Sequence, residues 1–166
     1  MGGKTSHIYA IALGSNQPRS RTLTPRRLVE KAMERLSHKP FAAIARSIII
    51  ETSPLGPSRR RYANGCMIIE TRLDPPELLD KLHKIERKAG RKRQRTWGAR
   101  TLDLDIILWS GGMWGSDGLV IPHPAYRARG FVLKPLAEVS SRWRDPLSGL
   151  SPRHLLARLE KPRKPR

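Results

Sequence analysis

Arg91-Lys92-Arg93-Gln94-Arg95-Thr96-Trp97-Gly98-Ala99-Arg100-Thr101-Leu102-Asp103-Leu104-Asp105 is the stretch that organises the reading of this chain. Five cationic side chains, with no acid among them, lead through a glycine into two carboxylates spaced i, i+2. Leu102, Leu104 and Ile106 alternate with the acids, which predicts a strand, and on a strand residues i and i+2 face the same way. The two Cα atoms then lie roughly 7 Å apart, a spacing that lets both carboxylates hold one or two cations. Hard oxygen ligands next to a dense set of arginines suit a magnesium-bound polyphosphate, so the segment points to metal-assisted phosphoryl chemistry.

The rest of the composition is compatible with that. A chain of 166 residues with 38% hydrophobic content is expected to form one domain spanning 1–166, with flexible ends at 1–6 and 161–166. Its 33 basic and 14 acidic residues leave a formal charge of +19, which implies anionic partners without choosing among nucleotide, nucleic acid and membrane surface. The single cysteine, Cys66, excludes a disulfide framework and a cysteine-based zinc site, and its apolar neighbours predict burial. No apolar run approaches the length of a membrane span and no signal peptide is visible, so a cytoplasmic protein with no membrane partner is expected.

Outward from the acidic strand (about 102–109), the pattern predicts a strand over His7–Leu13 that ends in Gly14-Ser15-Asn16. Thr24-Pro25 then caps a helix over 25–38 whose buried stripe is Leu28, Val29, Ala32, Met33 and Leu36. One long strand is predicted over Phe41–Glu51 and another over Tyr62–Thr71. Asp74-Pro75-Pro76-Glu77 reads as a capping box opening a helix with Leu78, Leu79, Leu82, Ile85 and Ala89 inward and Gly90 as its stop. Ser110 to Gly118 reads as a turn region containing Trp114, Leu119–Ile121 as a short strand, about 127–139 as a helix, and Ser151-Pro152 as the cap of a last helix to Glu160. Strand, helix, strand, strand, helix, strand, with later helices, predicts an α+β fold: a ferredoxin-like antiparallel sheet with helices packed on it.

Further residues carry chemistry of the same kind. Asn64 has a donor and an acceptor and can read the edge of a heterocycle, while Tyr62, two residues away, can stack on its ring. His123 sits between two prolines, followed by Arg129-Gly130-Phe131, and can donate to a phosphate. Trp97 reads as a packing or stacking residue beside the basic loop.

Together these pieces resemble the 6-hydroxymethyl-7,8-dihydropterin pyrophosphokinase family. The resemblance rests on Gly14-Ser15-Asn16, Thr52-x-Pro54-Leu55-Gly56, Tyr62-x-Asn64, Gly90-Arg91-x-Arg93, Trp97-Gly98-x-Arg100-Thr101-Leu102-Asp103-Leu104-Asp105 and Pro122-His123 with Arg129-Gly130-Phe131. It implies transfer of a pyrophosphoryl group from ATP to the pterin hydroxymethyl group, with AMP released, in folate biosynthesis. By the same resemblance Asp103 and Asp105 are the ligands of two Mg2+ ions, and Arg91 and Arg100 assist the transfer. Arg93, Arg95, Trp97, His123 and Arg129 fall to the ATP site. The pterin is expected between the rings of Tyr62 and Phe131, with Gly14, Thr52, Leu55 and Asn64 around its edge. Three mobile loops, near 15–24, 52–61 and 90–101, are implied around the active site, and a monomer is expected.

The chain departs from that pattern in places. Thr96 precedes the tryptophan where the family commonly has Arg, with Arg95 one residue earlier. His83 stands where a Gln often reaches the nucleotide, and Arg59-Arg60-Arg61 and the basic tail 161–166 are additions. Two alternatives stay open: an enzyme of the same fold using Mg-ATP with a different acceptor, and a basic nucleic-acid-binding protein without catalysis. The second gives no reason for two aspartates on one strand face, which would repel a nucleic-acid backbone.

Overall fold

The computed structural model describes residues 3–52, 61–90 and 101–162. Among the described residues are seven strands and four α-helices: β1 (His7–Ser15), α1 (Pro25–Arg35), β2 (Phe41–Arg46), β3 (Ile50–Thr52), β4 (Tyr62–Thr71), α2 (Pro75–Lys88), β5 (Asp103–Trp109), β6 (Trp114–Ser116), β7 (Leu119–Ile121), α3 (Gly130–Val139) and α4 (Pro152–Glu160). The main sheet runs β2-β4-β1-β5, with β3 also on β4, and every neighbour is antiparallel. That is the predicted ferredoxin-like order, in which the two strand-helix-strand halves interleave.

The helices form where local chemistry favours them. Thr24 accepts from the Arg27 N–H and Pro25 occupies the first turn of α1. Asp74 and Glu77 exchange both hydrogen bonds of a capping box at the start of α2. Ser151 caps α4 as expected. The stripe Leu28, Val29, Ala32, Met33 and Leu36 is buried as predicted, packing with Leu78 and Leu82 of α2 against Tyr9, Ile11, Leu13, Leu104 and Ile106 on one sheet face. The other face carries α3 and α4, whose Val132, Leu133, Leu136 and Leu155 cover Ala10, Ala12, Cys66 and Ile68. Cys66 is fully buried, and burial pushes its thiol pKa up.

Three expectations need correction. The strand predicted over Phe41–Glu51 is two strands, because Ser47 interrupts it: the Ser47 hydroxyl accepts from the Cys66 N–H at 2.9 Å, taking over a bond the ladder would otherwise make. The turn region around Trp114 contains a strand, β6, paired with β7. The helix predicted over 127–139 is a 3-10 turn at Tyr126–Ala128 followed by α3, separated at Arg129, whose backbone is extended. Of the three loops implied around the site, 53–60 and 91–100 lie outside the described residues, as do 1–2 and 163–166 of the ends. Among the described residues no helix is long and apolar enough to cross a membrane.

Candidate active site

β5 is an edge strand, and its place in the sheet decides how the acids are presented. Leu102, Leu104 and Ile106 are buried against α1 and α2. Strict alternation therefore turns Asp103 and Asp105 to the opposite face, side by side. Beyond them a bulge shifts the register, so that Ala10 pairs with Leu108 and Ile11 with Ile106. Ile107 and Leu108 then both join the core under α3 and α4.

The free edge of β5 is covered by two groups from other elements. The carboxylate of Glu86, on α2 and only 2% exposed, accepts from the Leu104 N–H at 2.8 Å. The His123 N–H donates to the Ile107 carbonyl at 3.0 Å. These bonds stand in for the missing neighbouring strand and hold the backbone between and beyond the two aspartates. Glu86 escaped sequence reading because a glutamate on a charged helix reads as a solvated side chain; its place in the inward stripe with Leu78, Leu82 and Ile85 was the available signal.

His123 Nδ1 accepts from the Ala125 N–H at 3.1 Å, so Nε2 carries the hydrogen of the neutral ring. Nε2 lies 3.9 Å from Asp105 Oδ2, too far for a hydrogen bond but close enough for both to face one ligand. Burial pushes the imidazole pKa down and the nearby Arg129 does the same, outweighing the upward pull of Asp105 and Asp103. A neutral Nε2–H donor results. An open cleft of about 350 Å³ is lined by Asp103, Asp105, His123, Glu86 and His83, together with apolar residues of α2, β5 and β7.

Across the sheet, register continues the site. Asp103 pairs with Gly14, and Gly14 pairs with Asn64, so one row crosses β5, β1 and β4. The next row, Asp105, Ala12 and Cys66, runs into the α3 and α4 core. Asn64 is 7% exposed, and its Oδ1 lies over Gly14, where a Cβ would meet it at 3.1 Å. Tyr62 is half-buried on the same strand face and pairs with Thr52. Phe131 sits at the start of α3, 36% exposed, with the Arg129 guanidinium 5.9 Å from its ring centre.

The fold thus brings Asp103, Asp105 and His123 to one cleft, and carries Asp103, Gly14 and Asn64 in one cross-strand row. Arg91, Arg93, Arg95, Trp97, Arg100 and Leu55 lie outside the described residues. Among the described residues no group of three or more His, Cys, Asp or Glu could form an all-protein metal site. Asp103 and Asp105, half-buried on one strand face, do fit magnesium, which takes a carboxylate or two and completes its shell with phosphate oxygens and water.

A family model described as 7,8-dihydro-6-hydroxymethylpterin-pyrophosphokinase (HPPK) matches residues 10–141. The chain is 38% identical over 138 residues to a protein of Pseudomonas aeruginosa, with 82% of each chain covered. It is 40% identical over 132 residues to one of Haemophilus influenzae, covering 79% of this chain and 80% of the relative. A third relative, from Synechocystis, is 49% identical over 94 residues, 57% of this chain and 48% of its own length. All three are named 2-amino-4-hydroxy-6-hydroxymethyldihydropteridine pyrophosphokinase. The crystal structure of Plasmodium falciparum HPPK-DHPS wild type with pteroate superimposes with a TM-score of 0.69 at 13% identity, over 95% of this chain and 43% of that one. That likeness shows a shared fold. The chain spans about half the length of the Synechocystis relative and less than half of the Plasmodium chain.

Proposed function

Since the chain belongs to the 7,8-dihydro-6-hydroxymethylpterin-pyrophosphokinase family, we propose that it carries out pyrophosphoryl transfer from ATP to 6-hydroxymethyl-7,8-dihydropterin. The hydroxymethyl oxygen bonds to the β-phosphorus, the bond from the bridging oxygen to that phosphorus breaks, and AMP leaves with the bridging oxygen. The hydroxyl proton is lost in the same exchange. The place of this reaction is folate biosynthesis, and we read residues 1–166 as one pyrophosphokinase domain acting as a cytoplasmic monomer.

The observation that carries the reading is the row Asp103–Gly14–Asn64. Strands lie about 4.8 Å apart, so the acid and the amide are separated by roughly 10 Å across a residue with no side chain. The Asn64 amide itself reaches over Gly14 towards β5, so a pterin held at that amide has its hydroxymethyl arm on the side of the two acids. The amide of Asn64 supplies both a donor and an acceptor, which a pterin edge requires. Tyr62 and Phe131 offer the ring faces, Thr52 pairs with Tyr62 on the neighbouring strand, and Leu55 is assigned to the pterin from its motif.

Asp103 and Asp105 are the residues that would hold Mg2+, two ions in this reading, and the metal when bound neutralises charge on the ATP phosphates. His123 contributes a neutral Nε2–H to a phosphate oxygen, and Arg129 a guanidinium fork. Arg91 and Arg100 are assigned to the transferring group, and Arg93, Arg95 and Trp97 to ATP. Positive groups placed before the reaction stabilise charge spreading over phosphoryl oxygens without reorganising.

The test is AMP release from Mg-ATP with and without hydroxymethyl-dihydropterin. Acceptor-dependent AMP supports the proposal. AMP release that ignores the pterin, or none at all, removes it.

A further inference from the structure

Between α3 and α4 the chain makes a turn outside the segment 10–141 that the family model matches, and Asp145 lies in it. Asp145 is 1% exposed, yet its carboxylate accepts five hydrogen bonds. Two come from the backbone N–H groups of Leu147 and Ser148, at 2.8 and 3.1 Å, and shape its own turn. The other three come from the 3-10 turn: the Tyr126 hydroxyl, Arg127 Nε, and Arg127 Nη2 at 2.9 Å. The Arg127 guanidinium also lies 4.9 Å from the centre of the Tyr126 ring, and Tyr126 is fully buried. A carboxylate buried this deeply is tolerated only when paired and fully hydrogen-bonded.

Tyr126 connects this knot to the cleft. Its N–H donates to the His123 carbonyl at 3.3 Å, and its own carbonyl accepts from the Arg129 N–H at 3.2 Å. The two residues assigned to the ATP phosphates are thus bonded through their backbones to the residue whose hydroxyl Asp145 holds. His123 and Arg129 flank a 3-10 turn of three residues; the His123 N–H anchors one end to β5, and Arg129, with extended backbone, leads into α3 at the other, so the knot at Asp145 holds the turn between these two anchors.

We propose that Asp145 is a positioning residue for the nucleotide site. Through Arg127 and Tyr126 it sets the orientation of the turn that presents His123 and Arg129, so the segment leading into α4 takes part in ATP recognition. The inference rests on the reading that these two side chains meet ATP phosphates.

The test compares full-length wild type with Asp145→Asn, Asp145→Ala and Ile69→Val. The last is a small core truncation on the other sheet face that lowers stability without touching the turn. Asp145→Asn keeps an acceptor oxygen for Leu147 and Ser148 but loses the charge that holds Arg127. Calorimetry gives ATP and pterin affinities separately, and ring-nitrogen NMR reports the His123 tautomer. Well below the melting temperature, Asp145→Asn is expected to weaken ATP by on the order of tenfold, as supporting partners of site residues commonly do. Pterin affinity should stay within about twofold of wild type, and the fixed Nε2–H form of His123 should be lost. Ile69→Val should show neither change. Wild-type ATP affinity in Asp145→Asn, or equal losses for ATP and pterin, would overturn the inference; if Asp145→Ala does not fold, Asp145→Asn decides. A wild type that binds ATP but forms no AMP with the pterin would defeat the activity reading and leave this comparison intact.

Discussion

The side-chain oxygen of Asn64 rests over the backbone of Gly14, close enough that a methyl group there would stand 3.1 Å from it. The contact joins the first strand motif to the Tyr62-x-Asn64 motif across one β-ladder. It gives a physical reason for a glycine at 14, since ordinary carbon–oxygen contact begins further out. Gly14→Ala therefore pushes the amide off its position. Because misplacement by an ångström can cost about 100-fold in rate, a loss of pterin affinity and turnover within that bound is predicted. Fluorescence titration with the pterin measures it; unchanged affinity would separate Asn64 from pterin binding.

Asp105→Ala removes one of two acids on the cleft face of β5 but leaves the Asn64 row intact. Turnover should fall on the order of 10³-fold or more, because loss of a carboxylate ligand weakens the charge neutralisation on which phosphoryl transfer depends. Pterin affinity should change little. Steady-state rates at saturating Mg-ATP, set beside pterin titration, distinguish this from a folding defect.

Glu86 supports the acidic strand by accepting from the Leu104 N–H, between the two aspartates. Glu86→Leu leaves that N–H without its acceptor on a buried edge, and an orphaned buried donor costs about 1–3 kcal/mol. Urea denaturation should show a loss of that size. No change in midpoint would mean that the edge is satisfied by other means.

Stability in acid follows from Asp145. Burial by itself would raise its pKa, but hydrogen bonds from Arg127, Tyr126, Leu147 and Ser148 outweigh it and hold the carboxyl at about 2, below its ordinary 3.8. A group more acidic when folded contributes its full stabilisation above the unfolded value, and that contribution disappears as pH falls through the folded one. The shift corresponds to an order of 2 kcal/mol, present above about pH 4 and lost towards pH 2. Wild type minus Asp145→Asn, followed by chemical denaturation across this window, should shrink by that amount as pH drops. A constant difference would contradict the assignment.

Much of this architecture could be read from residue patterns, and the exceptions have physical causes. Alternation in Leu102–Ile106 gave the acidic strand and its two-faced character, and the Thr24, Asp74 and Ser151 caps placed three helices. Periodicity could not show that Ser47 substitutes its hydroxyl for a ladder bond, because a serine between β-branched residues looks like continuing strand. The glycines around Trp114 mask a strand of three residues. For the site, Asp103, Asp105 and His123 line one cleft. Glu86 and Asp145 were not legible: Leu104 lies 18 residues from Glu86, Arg127 and Tyr126 lie 18 and 19 residues from Asp145, and a lone carboxylate in a charged chain carries no mark of burial. The roles given to Arg91, Arg93, Arg95, Trp97 and Arg100 rest on the motif.

The most direct test of the central claim is product identification in a single turnover. Enzyme in excess over hydroxymethyl-dihydropterin is mixed with Mg-ATP, and phosphorus NMR and mass spectrometry follow the fate of each phosphate. The account predicts one AMP for every pterin diphosphate ester formed, with both phosphates of the ester drawn from the β and γ positions of ATP. ADP with a pterin monophosphate, or AMP with free pyrophosphate and unmodified pterin, would contradict it.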